Sequence, residues 1–327
     1  MLIKSKLSEI SKPVQEELVC FEKLFKESIK SKVGIVDLIA RYILRQKGKK
    51  IRPLLVLLAA KVSGNVNERT YRGAVLVELL HTATLIHDDV VDNSDKRRGF
   101  WSINAIFKNK GAVLMGDYLL ARGLMIATEG KDFDFLSVIT NTVKRMAEGE
   151  LLQIQKTRKL NIDEETYFRI ISDKTASLLE TCCQIGALSS SDNKEYHEAM
   201  RVFGEAIGIA FQIKDDILDY EGSASLIGKP VGGDIKEKKI TLPLIYSLNQ
   251  VSSGEASRIR KMIKSGTGKS DVNDIINFVR EHKGIDYAVK TAHEYSEKAS
   301  EALKVFPDSP GKIALEALID FIIERKN

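Results

Sequence analysis

Long stretches of this chain space apolar residues three and four apart, with almost no proline to interrupt them. Val14, Leu18, Phe21 and Phe25 form one stripe, Val75, Leu79, Thr82 and Ile86 a second, and Val202, Ile209, Ile213 and Ile217 a third. That spacing collects side chains on one face of an α-helix. The six prolines, Pro13, Pro53, Pro230, Pro243, Pro307 and Pro310, can all stand at element starts or in connections, where a fixed φ and a missing N–H are tolerated. Alternating, strand-like runs are scarce. The pattern predicts an all-α fold, a single-domain helical bundle over residues 1–327, since no linker rich in Pro, Gly or Ser divides the chain and no fixed period repeats. Helices are expected near 7–31, 34–46, 52–63, 67–92, 111–128, 131–157, 163–190, 193–221, 240–250, 255–265, 270–281, 284–304 and 310–325. The clearest irregular segment, 222–239 (GSASLIGKPVGGDIKEKK), has the length and glycine content of a lid.

Composition narrows the classes of function. At 327 residues and 43% hydrophobic content a sizeable core is available, and the formal charge of +5 is spread among acids without a basic stripe. Nucleic acid is therefore not an expected partner, whereas anionic small molecules are. Cys20, Cys182 and Cys183 match no metal spacing and no paired framework, so free thiols in a reducing compartment are expected. The amino-terminal MLIKSKLSEISKP lacks the apolar centre of a signal peptide, and IIERKN carries no lipidation box. No apolar run approaches the ~20 residues of a membrane span. A soluble, cytoplasmic protein without a membrane anchor is expected.

Two carboxylate clusters stand against this apolar background. LIHDDVVD (85–92) holds Asp88, Asp89 and Asp92; FQIKDDILD (211–219) holds Asp215, Asp216 and Asp219 in the same D-D-x-x-D spacing. The first and last Asp of each cluster lie four apart and share a helix face. Like charges so spaced repel by roughly 0.2–0.5 kcal/mol per pair even on an exposed helix. A solvated helix end accounts for one such cluster; two of identical spacing on apolar helices point to a shared cation site. All-oxygen donors suit Mg²⁺, which takes one or two carboxylates together with substrate phosphates.

Cations fit for phosphate lie close by in sequence. GKKIRP (48–53) sets Lys49, Lys50 and Arg52 at a helix start, where an anion meets both side chains and backbone N–H groups. Arg97 and Arg98 of KRRG follow the first cluster at once. They would either pair with its carboxylates or clamp phosphate bidentately. Lys174 sits mid-helix beside Thr175, and Lys229 and Lys239 lie in and at the end of the glycine-rich segment; each would otherwise be an ordinary solvated lysine. His81 precedes Asp88 by seven residues and shares its face.

In their order, GKKIRP, HTATLIHDDVVDNSDKRRG, MGDYLLARG, DKTASLL, FQIKDDILD and GKPVGGDIKEKKITLP resemble the trans-isoprenyl diphosphate synthases, the polyprenyl synthetase family, from GKKIRP to about ITLPLIY at 240–246. The resemblance implies an all-α bundle around a central cavity (the isoprenoid synthase type), usually a homodimer. It also implies head-to-tail condensation of isopentenyl diphosphate with an allylic diphosphate. Carried over by position, Asp88, Asp92 and Asp215 would hold three Mg²⁺, supported by Asp89, Asp216 and Asp219. Arg97, Lys174, Lys229 and Lys239, with Thr175 and Gln212, would hold the allylic diphosphate; Lys49, Arg52, His81 and Arg98 would bind isopentenyl diphosphate. KEKK at 236–239 departs from the commoner Glu-Gly-Lys.

Product length follows from the first Asp helix. One helical turn, about 5.4 Å, is close to one extended isoprene unit. The residues a turn below Asp88 are Ala83 and Thr84, both small, where short-chain members resembling this family carry bulky aromatics. An open path and a long-chain product of about six to nine units follow, with quinone side chains as the use and transient membrane contact at release. The alternatives are a short-chain farnesyl or geranylgeranyl diphosphate synthase and a class I terpene cyclase, whose second metal motif has Asn, Ser and Glu instead of DDILD. An HD-type phosphohydrolase needs several convergent histidines, and the chain has five, at 81, 87, 197, 282 and 293. A catalytically dead regulatory subunit would have lost one Asp cluster.

Overall fold

The computed structural model describes residues 2–46, 48, 50–97, 99–221, 232–265 and 268–325. Its helices run in chain order α1 (Leu2–Ser11), α2 (Gln15–Ser28), α3 (Gly34–Arg45), α4 (Ile51–Ser63), α5 (Glu68–Val91), α6 (Ile103–Glu129), α7 (Phe133–Lys159), α8 (Glu164–Ile171), α9 (Ser177–Ser190) and α10 (Lys194–Glu221). There follow α11 (Gly233–Lys236), α12 (Leu242–Asn249), α13 (Ser253–Ser265), α14 (Lys269–Glu281), α15 (Gly284–Ala302) and α16 (Pro310–Glu324). The all-α expectation holds, and most boundaries fall where the periodicity puts them.

Four local departures have physical causes. Pro13 splits the expected first helix, and Lys12–Val14 form a 3₁₀ turn between α1 and α2. A two-residue antiparallel hairpin, β1 (Lys96–Arg97) with β2 (Phe100–Trp101), fills the space after α5 and turns through Gly99 at φ +82°. The next helix begins eight residues earlier than expected: Ser102 caps it by accepting from the Ala105 N–H, and a left-handed Lys108 (φ 65°) kinks it. The expected helix 163–190 contains a π turn, Ser172–Ala176, between α8 and α9.

Two apolar clusters make the core. One gathers α4, α5, α6 and α9 and includes Leu57, Leu76, Leu119, Cys183 and Phe203; the other gathers α8, α10 and α12–α15 and includes Ile213, Ile217, Tyr220 and Leu244. α10 contributes to both, so the second carboxylate cluster at its end is anchored on two sides. α5 starts from a reciprocal Asn67–Thr70 cap and lies along α6. The MGDYLLARG glycines make that approach possible: a Cβ at Gly116 would sit 2.2 Å from His87 Nε2, and one at Gly123 3.0 Å from Leu76 Cδ1. α6 also revises one expectation. It is 27 residues long with mean hydropathy 1.2 in its most apolar window, enough by length and composition to cross a membrane. Scattered charges hide this from a search for unbroken apolar runs.

Candidate active site

Both carboxylate clusters lie at the carboxyl-terminal ends of their helices. Asp88 and Asp89 are in the last turn of α5 and Asp92 caps it; Asp215, Asp216 and Asp219 occupy the last two turns of α10. The macrodipole is negative there, so each carboxylate sits where a cation is favoured and an anion is not. The two ends border common ground. Lys174 and Arg97 both act on Asp88, while Asp234 and Asp92 act together on Lys239. Burial raises the Asp88 carboxyl above its ordinary range, against the pull of Lys174.

The protein supplies partners to most of these groups. Arg97 Nε donates to Asp89 Oδ1 at 2.7 Å, and Asp89 is buried. Arg325, just past α16, donates through Nη2 to Asp215 Oδ1 at 2.5 Å and stacks 3.9 Å over the Phe211 ring. Asp216 is buried, accepts from Tyr167 Oη at 2.6 Å and from Gln212 Nε2 at 2.9 Å, and is pushed up to about 8, first by burial and then by Asp234. Asp219 accepts from the Gly233 and Asp234 backbone N–H groups, both at 3.0 Å, and so fixes the start of α11. Among the described residues no three His, Cys, Asp or Glu side chains meet as a ready metal cage. The three carboxylates of α10 turn to different neighbours. Hard oxygen donors at two negative helix ends still fit a divalent cation that completes its shell with phosphate and water.

The basic residues divide between two cavities. One of about 260 Å³ brings together Lys174, Thr175, Gln212, Asp216, Asp234 and Lys239. In it Lys174 Nζ pairs with Glu150 Oε2 at 2.5 Å and donates to Gln153 Oε1 at 3.1 Å, and Thr175 Oγ1 donates to Gln212 Oε1 at 3.1 Å. Burial acts to lower the Lys239 ammonium, but Glu237 at 2.6 Å and the nearby aspartates outweigh it and raise it. The other cavity, of about 490 Å³, is lined by His81, Arg97, Lys50 and Glu78. Arg97 lines this second cavity and pairs with Asp89, and with Lys174 it also acts on Asp88. Arg52 stands in the first turn of α4, on the core side that holds Cys182, whose thiol burial pushes up to about 12. Lys49, Arg98 and Lys229 lie outside the described residues, as does most of the 222–239 segment.

Sequence reasoning missed Glu150, Gln153, Tyr167, Asp234 and Arg325. Glu150 and Gln153 carried no distinct signal, since α7 is rich in polar residues and buries only Phe135, Ile139, Thr142 and Gly149. Arg325 carried none, since its pairing with Asp215 spans 110 positions. Of the two chain-length positions, Ala83 is 2% exposed within the packed core, and Thr84 is half-buried on the Asp88 face.

A helical bundle with two acidic helix ends against half-buried lysines has the isoprenoid synthase fold. The polyprenyl synthetase family matches residues 34–279, and the chain belongs to that family of prenyltransferases. It is 34% identical over 319 residues to the octaprenyl diphosphate synthase of Haemophilus influenzae, covering 98% of this chain and 97% of that one. It is 37% identical to the all-trans-nonaprenyl-diphosphate synthase (geranyl-diphosphate specific) of Rhodobacter capsulatus, with 97% of each covered. Among solved structures, the polyprenyl synthase of Caulobacter crescentus complexed with calcium and isoprenyl diphosphate superposes at a TM-score of 0.89, with 32% identity and 98% of each chain covered.

Proposed function

We propose that this chain condenses isopentenyl diphosphate with an allylic diphosphate, farnesyl or geranylgeranyl, to a long-chain all-trans polyprenyl diphosphate for quinone side chains. The observation that carries the reading is the pair of carboxylate clusters at two helix C-termini beside separate lysine and histidine–arginine cavities. One cavity suits the allylic diphosphate, through Lys174, Lys239, Thr175 and Gln212; the other suits isopentenyl diphosphate, through His81, with Lys49, Arg52 and Arg98 assigned there by resemblance. Asp88, Asp92 and Asp215 would hold Mg²⁺, three ions with substrate bound, which supplies positive charge to the departing diphosphate. Taking up that role requires Asp215 to exchange its Arg325 contact for the cation.

The chain's own residues do the rest. Lys174 and Lys239 place fixed positive charge where the allylic C–O bond gains negative charge as it breaks. Holding the isopentenyl double bond nearby turns a bimolecular encounter into a positioned one. The released diphosphate accepts the final proton, so no further catalytic base is assigned. Small residues at Ala83 and Thr84 support the long product. Exposed Ile106, Val113, Leu114 and Met125 on α6 support a homodimer through that helix. The proposed setting is cytoplasmic, with the whole chain as one catalytic domain. The test is to incubate pure protein with Mg²⁺, isopentenyl diphosphate and farnesyl diphosphate and to size the dephosphorylated products by mass. A ladder ending at about six to nine units is expected. A stop at three or four units would replace the long-chain reading with the short-chain one, and hydrolysis or cyclisation without condensation would refute both.

A further inference from the structure

The Lys174 ammonium sits on a flexible four-carbon stem, so where it presents depends on where its Cα is held. That Cα belongs to the π turn Ser172–Ala176. An i→i+5 turn is uncommon, and it persists where its surroundings over-determine it. Here the extra residue rotates neighbours apart: Asp173 turns toward α7 and Arg145, while Lys174 and Thr175 line the cavity with Gln212.

Arg145 holds both sides of this bulge. Its Nε donates to Asp173 Oδ1 at 2.8 Å and its Nη2 to Ser172 Oγ at 3.0 Å, on the first two residues of the π turn. Its Nη1 donates to Glu180 Oε2 at 2.6 Å, in the first turn of α9 beyond it. The fork of one planar guanidinium thus spans the irregular turn, with charge-assisted bonds to two carboxylates that are themselves largely buried. One turn further along α7, a Cβ at Gly149 would stand 3.0 Å from Asp173 Cβ and 3.1 Å from the Lys174 backbone nitrogen. Glu150 and Gln153 then receive the Lys174 ammonium itself. From the far side Glu205 of α10 accepts from Ser172 Oγ at 3.1 Å, and Arg201 reaches both Glu205 and Glu180 at 3.4 Å.

We propose that Arg145 is a positioning residue: by clamping Ser172, Asp173 and Glu180 it fixes the π turn and so sets the place at which Lys174 meets the allylic diphosphate. It does not line the Lys174 cavity. The inference rests on the reading of Lys174 as an allylic diphosphate ligand, and the experiment separates the two.

Steady-state kinetics are measured with farnesyl diphosphate and isopentenyl diphosphate varied in turn, for wild type, Lys174→Met, Arg145→Met, Arg145→Lys and Asp173→Asn, with a thermal melt of each. A loss of about 1.4 kcal/mol in positioning corresponds to roughly tenfold. Arg145→Met is therefore expected to raise KM for farnesyl diphosphate about tenfold while leaving KM for isopentenyl diphosphate within about twofold. Arg145→Lys, which keeps the charge but not the fork, is expected to recover part of that loss. Asp173→Asn takes the charge from one arm of the clamp without leaving an unpaired carboxylate. If Arg145→Met does not fold, Asp173→Asn carries the test with the same selective rise. A merely structural role would lower the melting temperature and the active fraction and leave both KM values alone, and that result overturns the inference. So does a proportionate rise in both KM values. If Lys174→Met raises KM for farnesyl diphosphate and the Arg145 and Asp173 variants do not, the clamp is refuted and the Lys174 assignment stands. If Lys174→Met itself leaves that KM unchanged, the ligand assignment fails and the inference falls with it.

Discussion

Replacing Thr84 by Phe should shorten the product to three or four units. Thr84 precedes Asp88 by four residues on α5, which places it about 6 Å down the helix axis and about 40° around it, directly below the carboxylate. It is half-buried, and its hydroxyl is satisfied locally by donation to the His81 carbonyl at 2.9 Å, so the change strands no buried polar partner in another element. An extended isoprene unit spans about one helical turn, ~5.4 Å. A ring at this position therefore stands in the path of the growing tail close below the diphosphate. Forcing additional methylenes against packed side chains costs about 1–3 kcal/mol. Each further elongation is then disfavoured by roughly 5- to 150-fold, and even the lower value compounds over successive additions. The assay runs the enzyme with isopentenyl diphosphate and a geranyl primer, since a farnesyl primer already fills the shortened path, and sizes the dephosphorylated products by mass. Thermal melts of both proteins run in parallel. A folded Thr84→Phe protein with an unchanged product ladder would refute the reasoning and move the growing tail to another face of α5.

Other perturbations have equally definite outcomes. Ala83→Tyr should also shorten the product, but with a stability loss of about 1–3 kcal/mol from overpacking, because Ala83 is 2% exposed; a normal melting temperature together with a normal product would sink this one. Asp88→Ala should abolish turnover, and near wild-type activity in that variant would remove the metal-assisted ionisation model. With chelator present, stability should fall as pH rises from about 4 to 8. Asp216 is protonated in the folded chain up to about 8, whereas the unfolded chain releases that proton near pH 4. The folded state thus binds more protons, and this group contributes a slope of at most about 1.4 kcal/mol per pH unit that levels off above pH 8. Urea unfolding across that range should show the slope in wild type and lose it in Asp216→Asn; identical slopes would show that Asp216 is ionised at neutral pH. Thiol reagents should modify exposed Cys20 quickly and spare Cys182 and Cys183, which are fully buried with thiols pushed well up; rapid labelling of all three would contradict that packing.

What the sequence made legible was what local periodicity controls. Apolar spacing placed α5 and α10, and the D-D-x-x-D spacing placed carboxylates on their inner faces, because a 3.6-residue repeat fixes direction within one helix. The π turn at Ser172–Ala176 escaped because a single inserted residue leaves apolar spacing intact on either side. The hairpin at 96–101 escaped because two residues per strand carry no alternation to detect. Arg97 shows the limit most clearly. Both of its options were readable from KRRG, whereas its pairing with Asp89 depends on the hairpin that carries it.

The two aspartate clusters are alike in spacing and unlike in environment, and the difference bears on function. The first is held by one arginine from an adjacent turn, so Asp88 and Asp92 stand at the end of α5 with their helix face toward Lys174 and Lys239. The second is spread among Arg325, Tyr167, Gln212 and the backbone of α11, each from a different part of the chain. A spacing rule sees two equal motifs; the electrostatics give them different work. Asp216, buried and raised toward 8, is suited to accept a hydroxyl and an amide and to brace the floor of the Lys174 cavity. Asp215, half-exposed and already paired with a cation from the far end of the chain, is the member of its cluster poised to trade one positive partner for another.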